Sequence, residues 1–365
     1  MYKEFAGLCA AKDINRALVL LCLLLPWLMI GSMLTAGTRA EGAGISRIYV
    51  GNAGDATVSV IDHDSRVVIK TIDIGAKHHG SVPSHAGDRI YMTTEDTGEV
   101  IAVDTGSNEI LWRVKAGATL HEPSITHDDR FVFAPDFRGG RIAIVDARSG
   151  KLVDDVKMID PDTNEPFDGL HNTYEMSDGR HLLSMSILGE SMIKIDMNTR
   201  EIVRIYRLNG QPRPAAIMQD MSMIFVQLSE LNGFIAVDLE TGRELKRIEW
   251  PFEGEPPEKV DPWTPSHGMG LAIDDHELWA ASSFTSQLYV YSVPELEQLA
   301  VVDVGVLPNW MALSKDGKIL YATSQEPDKE RGTVAVIDTA SHEVLKLIEV
   351  GPRPKRIHLV ELPFQ

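Results

Sequence analysis

The 365-residue chain carries 53 acidic and 35 basic side chains, a formal charge of −18, a balance that repels nucleic acid and anionic lipid and favours a basic protein as any protein partner. Its two cysteines, Cys9 and Cys22, both lie near the N-terminus, so the rest of the chain has no thiolate for an iron–sulfur cluster, a blue-copper centre or a cysteine nucleophile, and no Cys-x-x-Cys-His for covalent c-type haem. It also has no Gly-x-Ser-x-Gly elbow, phosphate-binding glycine loop or dinucleotide fingerprint, which leaves serine hydrolysis and nucleotide chemistry without support.

Residues 1–40 read as a leader. Lys3, Lys12 and Arg16 precede an apolar run over 17–34, and Thr38-Arg39-Ala40 offers small residues at the two positions a signal peptidase reads. The run is long for a cleaved signal and just long enough to span a bilayer. Either a signal peptide or an uncleaved N-terminal membrane anchor is expected, and both place the remainder in the periplasm or another extracytoplasmic space, because basic charge precedes the run. A lone arginine ahead of the run favours export of an unfolded chain, with any cofactor inserted afterwards. The leader holds four basic and two acidic side chains, so the exported part carries −20.

From residue 46 to residue 365 a unit of about 42 residues recurs seven times. The opening β-rich runs are Ile48-Tyr49-Val50, Ile90-Tyr91-Met92, Phe131-Val132-Phe133, His181-Leu182-Leu183, Met223-Ile224-Phe225, Glu277-Leu278-Trp279 and Ile319-Leu320-Tyr321. A second run closes on aspartate at Asp62, Asp104, Asp146, Asp196, Asp238 and Asp338, with Ser292 in the sixth unit. Short strands parted by turn residues, with no long helical pattern after the leader, predict an all-β, seven-bladed β-propeller of four-stranded antiparallel blades over residues 46–365. Residue 47 opens directly on what reads as a second strand, and residues 355–361 have the character of an innermost one. The C-terminal strand is therefore expected to complete the first blade and close the ring.

The motifs Tyr49-Val50-Gly51-Asn52 with 57–62, and Tyr321-Ala322-Thr323-Ser324 with 332–338, resemble those of the Tyr-Val-Thr-Asn (YVTN) repeat family of bacterial seven-bladed propellers. The resemblance covers the chain from about residue 46 onward and implies the fold; the family includes binding proteins, surface-layer proteins and relatives of enzyme subunits, so it does not fix an activity.

One position recurs between the outer strand of each unit and the inner strand of the next: His79, His121, His171, Arg213, His267, Asn309 and Lys355. In a propeller this register points toward the central channel, where residues far apart in sequence meet. His79, His121, His171 and His267 are the expected ligands of one transition metal ion. An all-imidazole set points to copper or iron more than to zinc, and away from calcium and magnesium. The layout is similar to that of the four-histidine iron oxygenases that cleave carotenoids and of the copper reductase of nitrous oxide, but the chain shares none of their motifs, so their reactions do not carry over. Arg213, Asn309, Trp310 and Lys355 are the candidate binders of a small-molecule ligand. Trp310 is a channel wall or, the commoner case for such a residue, a core aromatic, and His78 competes with His79 for the first ligand place. Glu122 and Glu175 are candidate orienting carboxylates, whereas His63, His85, His127, His276 and His342 fall mainly in turns and need no function.

Two insertions, 158–169 and 251–265, lead into His171 and His267, and their Phe167, Phe252 and Trp263 are candidate lid residues over the channel. The sequence thus predicts an exported propeller with a histidine-ringed metal site serving as a redox enzyme. It leaves open a metal-free pocket in which Arg213, Lys355 and Arg356 bind an anion, polar residues that bind only water, and a non-catalytic periplasmic scaffold or the propeller subunit of a larger oxidoreductase.

Overall fold

Each blade turns on its aspartate. Asp104 Oδ1 accepts from the Ser107 amide at 2.7 Å and hydroxyl at 2.9 Å, and Asp62, Asp146, Asp238 and Asp338 repeat this with Ser65, Ser149, Thr241 and Ser341. Asp196 accepts from the amides of Asn198 and Thr199, and in the sixth blade the Ser292 hydroxyl accepts from the Glu297 amide at 3.1 Å. The recurring carboxylate is therefore a turn device joining the third and fourth strands of a blade.

The computed structural model describes residues 44–254, 264–327 and 329–363. Those residues form seven four-stranded sheets; neighbouring strands within each sheet pair antiparallel, as in Arg89–Thr94 with Glu99–Asp104. No described helix is long and apolar enough to cross a membrane. The leader and Trp263 lie outside the described residues.

The C-terminal strand Pro354–Glu361 is the inner strand of the first blade. It pairs antiparallel with Ser46–Asn52, from Ser46↔Glu361 through Tyr49↔His358 to Asn52↔Pro354. The expected closure is what the chain does, and it removes the open edges that a linear row of blades would present.

The middle strands of every blade are buried and the outer ones largely exposed: Thr57–Asp62 reads buried through its centre, while Val67–Asp73 buries one residue. Apolar side chains from neighbouring blades pack into shared clusters, as where Val100 and Ala102 of the second blade meet Val132 and Ala143 of the third. The blades are thus wedged face to face, and the inner strands are held at fixed positions around the channel.

Candidate metal centre

A bulge starts each inner strand. In the second blade the pairing steps from His78↔Thr94 to Ser81↔Met92, so His79 and Gly80 together oppose Thr93. The same step occurs at Leu170/Thr173, Pro212/Ala215, Ser266/Met269 and Pro308/Met311, and in the closing strand between Pro354 and Ile357. An extra residue re-aims the side chains next to it, and the first bulged residue is in each case the one singled out by register: His79, His171, Arg213, His267, Asn309, Lys355. In the third blade His121 lies just ahead of the short inner strand Ser124–Ile125, between bridges at Leu120 and Glu122. All seven side chains line one cavity of about 370 Å³.

Close packing makes this possible. Gly268, with φ of +109°, follows His267, and a Cβ there would sit 1.6 Å from the Asn309 carbonyl oxygen. Only glycine admits that approach of the sixth inner strand to the seventh.

Three histidines converge. The ligating atoms of His79, His121 and His171 lie within 4.8 Å of one another. The rings of His79 and His121 stack with centroids 3.7 Å apart, and His171 meets them edge-on at 5.2 and 4.7 Å. His267 is set back, 6.4 Å from His171 between ring centroids. Burial holds all four below the usual histidine range, aided at His79 and His121 by neighbouring imidazoles and Lys355, and at His171, brought down to about 3, by Arg213. All four are neutral at ordinary pH, the state in which imidazole ligates.

Two of the four rings have a partner on Nδ1. His79 Nδ1 faces Glu95 Oε2 at 3.5 Å, and His171 Nδ1 is bonded to the Asn172 side-chain oxygen. Such anchoring fixes the tautomer and leaves Nε2 for an ion. His121 Nδ1 and His267 Nδ1 are buried without a hydrogen-bond partner among the described residues. Metal–nitrogen bonds of about 2 Å would place ligating atoms roughly 3–3.5 Å apart; because His79 and His121 stack at 18°, with their ring-plane lone pairs side by side, one of the two rings must turn for both to reach one ion.

Positive charge surrounds this core. Arg213 Nε donates to Ser229 Oγ at 2.8 Å. Lys355, its pKa lowered by burial, makes no ion pair within 4 Å among the described residues. Glu95, the carboxylate that most favours its charge, already binds Lys77 at 2.9 Å, and against the upward pull of burial that bond holds Glu95 below the usual range. Asn309 Oδ1 is buried without a partner. Trp310 fills both roles weighed for it: it lines the cavity, edge-on to His267 at 5.3 Å, and belongs to the apolar cluster between the last and first blades.

Other expectations shift. Arg356 lies behind the ring, its guanidinium 4.0 Å from the Trp310 ring centre and 3.5 Å from Glu122 Oε2, while Arg353 lines the cavity instead. Burial pushes Glu122 up to about 7. Glu175 ends the strand Leu170–Glu175, whose second residue is His171, and orients none of the four. Phe167 is buried in the core between the third and fourth blades, and Phe252 packs on Phe284 at 4.9 Å; neither lines the cavity. His78, the rival of His79, is buried with both ring nitrogens unpartnered and lies outside the cavity lining. Sequence reasoning missed a second register, the residue following each second strand, which brings Glu95, Phe137, Ser283 and Gln325 to the same cavity.

A family model described as the YNCE-like beta-propeller matches residues 79–267, just over half of the chain and the stretch that holds all four histidines. The chain belongs to the YNCE-like β-propeller family. This family is related to, and distinct from, the YVTN repeat family that its motifs resemble. No curated protein matches the chain. Among solved structures this YNCE-like propeller is similar to the periplasmic gluconolactonase PpgL of Pseudomonas aeruginosa, at 16% identity and a TM-score of 0.69 over 88% of this chain and 100% of that one. It is also similar to dihydro-heme d1 dehydrogenase NirN in complex with DHE, at 17% identity and a TM-score of 0.64 over 87% of this chain and 75% of that one. Hydrazine synthase of Kuenenia stuttgartiensis aligns at 16% identity and a TM-score of 0.65 over 80% and 92%. At such identities these likenesses establish the shared fold alone.

Proposed function

We propose that this propeller works outside the cytoplasm as a metal-dependent redox protein, holding one transition metal ion at the channel mouth through His79, His121 and His171, with His267 as a fourth ligand. The observation that carries the reading is the convergence of three neutral imidazoles, their ligating atoms within 4.8 Å of one another. Copper or iron fits an all-imidazole set better than zinc, and would supply Lewis acidity and one-electron chemistry there. The residues around it select the ligand. Lys355, Arg213 and Arg353 outnumber the carboxylates Glu95 and Glu122 in the cavity lining, so the small molecule admitted beside the metal is an anion. Asn309 Oδ1 supplies an acceptor for a donor group on the same molecule, and Trp310 an apolar wall. Similarity to a dehydrogenase is consistent with this use of the scaffold.

Elemental analysis of protein purified without chelator tests the reading. About one copper or iron per chain, lost in His121→Ala and in His171→Ala, supports it. Metal retained in both variants, or none bound by wild type under metal-replete conditions, overturns it and leaves a binding scaffold or the subunit of a larger oxidoreductase. In Lys355→Met the metal should stay, while anion binding weakens and loses its sensitivity to salt.

A further inference from the structure

We infer that a second divalent-metal site, independent of the histidine ring, lies at the other end of the inner strands, with His85, His127 and Glu175 as its ligands. The three come from consecutive blades. His85 and His127 occupy the same place in the turns that follow the second and third inner strands, and Glu175 ends the fourth. His171 and Glu175 lie at opposite ends of one six-residue strand, about 13 Å apart at the usual rise, so no single ion bridges the two clusters.

The geometry fits an ion. His85 Nε2 is 3.0 Å from Glu175 Oε2, His127 Nδ1 is 3.9 Å from Glu175 Oε1, and the three ligating atoms lie within 4.8 Å of one another. Two imidazoles and a carboxylate are a donor set for Zn²⁺ and its first-row neighbours, with open positions left for water. A plain His–Glu pair would explain the His85 contact but not the rest. Among the described residues Glu175 Oε1 is buried with no hydrogen-bond partner, an acceptor left unused between two imidazoles.

The two turns are also fixed in advance. Asp129 accepts from the amides of His85 at 2.7 Å and Ala86 at 2.9 Å, fastening the second blade's turn to the third's. The fourth to seventh blades have Ser177, Gln219, Ile273 and Lys315 where these two carry histidine. Histidine is thus confined to the two turns beside Glu175.

Zn²⁺ added to the chelator-stripped full chain, counted by equilibrium dialysis, tests this. One equivalent bound by His121→Ala, in which the ring is disabled, but lost or weakened at least tenfold when Glu175→Gln or His127→Ala is combined with it, supports the second site. Unchanged zinc stoichiometry and affinity in both double variants overturns it, as does the absence of bound zinc in His121→Ala, which would assign all of the zinc to the ring. If the ring binds no metal, wild type still takes up this one equivalent, so the two proposals fail separately. Should Glu175→Gln fold poorly, His127→Ala decides alone, its side chain being 77% exposed and outside the blade core.

Discussion

His267 meets Trp310 edge-on, ring centroids 5.3 Å apart and planes at 89°, and its buried Nδ1 finds no hydrogen-bond partner among the described residues. A buried polar atom without a partner destabilises the fold by about 1–3 kcal/mol, an arrangement that persists where function needs it. In metal-stripped protein, His267→Leu should therefore unfold no lower than wild type, and about 2 °C higher if the leucine packs against Trp310. In metal-loaded protein the order should reverse, because the variant loses a ligand. Thermal unfolding of both proteins in both states checks this. A variant less stable than wild type when stripped would show that His267 is held by contacts unrelated to an ion.

The channel also titrates. His358 Nε2 lies 2.6 Å from the Ser81 carbonyl oxygen and 3.0 Å from Arg356 Nε, and burial, reinforced by Arg356 and His78, keeps its pKa well below 6.5. The folded state then keeps this imidazole neutral while the unfolded chain takes up a proton as pH falls through 6.5. Stability present above that pH is lost on acidification, at about 1.4 kcal/mol per pH unit. Glu122 works in the opposite sense, since its folded pKa of about 7 lies above the ordinary carboxylate value of 4.5, but it is common to any pair of proteins compared. His358→Gln keeps a donor for Ser81 and removes the titration. Between pH 7.5 and pH 5 its unfolding temperature should fall less than that of wild type; parallel curves would refute the assignment.

Fold and site differ in how far the sequence discloses them. Blade number and closure could be read because short β-rich runs and an aspartate closing the third strand of six of the seven blades are local signals, and because residue 47 enters at a second strand with residues 355–361 left over to supply the first. The ring register was readable for the same reason. Distance was not: which imidazoles touch depends on the bulge at each inner strand, and the set-back position of His267 has no signature in residue type. Glu175 lies only four positions beyond His171, yet strand direction carries it to the other end of the channel. His85 and His127 looked like ordinary turn residues because nothing local says that turns of consecutive blades converge on that carboxylate. Phe167 read as a lid because an insertion looks like a loop, whereas the space between two blades took it in.

The closing strand makes the last prediction. Ile357 and Val360 are 1% and 2% exposed and sit in different apolar clusters, one shared with the seventh blade and the other with the second. A single strand thus joins the two ends of the ring through both faces of its sheet. Ile357→Ala should destabilise by about 2–4 kcal/mol, against about 0.5 kcal/mol or less for Leu345→Ala on an exposed outer strand. Truncation after Gly351 goes further, removing every partner of Ser46–Asn52 on its inner side along with Lys355 and Arg356, and leaving an unpaired strand edge facing the channel. Denaturant unfolding of the two point variants, and size-exclusion chromatography of the truncated chain, provide the readouts. A truncated chain that remains a folded monomer would mean that packing between blades, and not the strand closure, holds the ring shut.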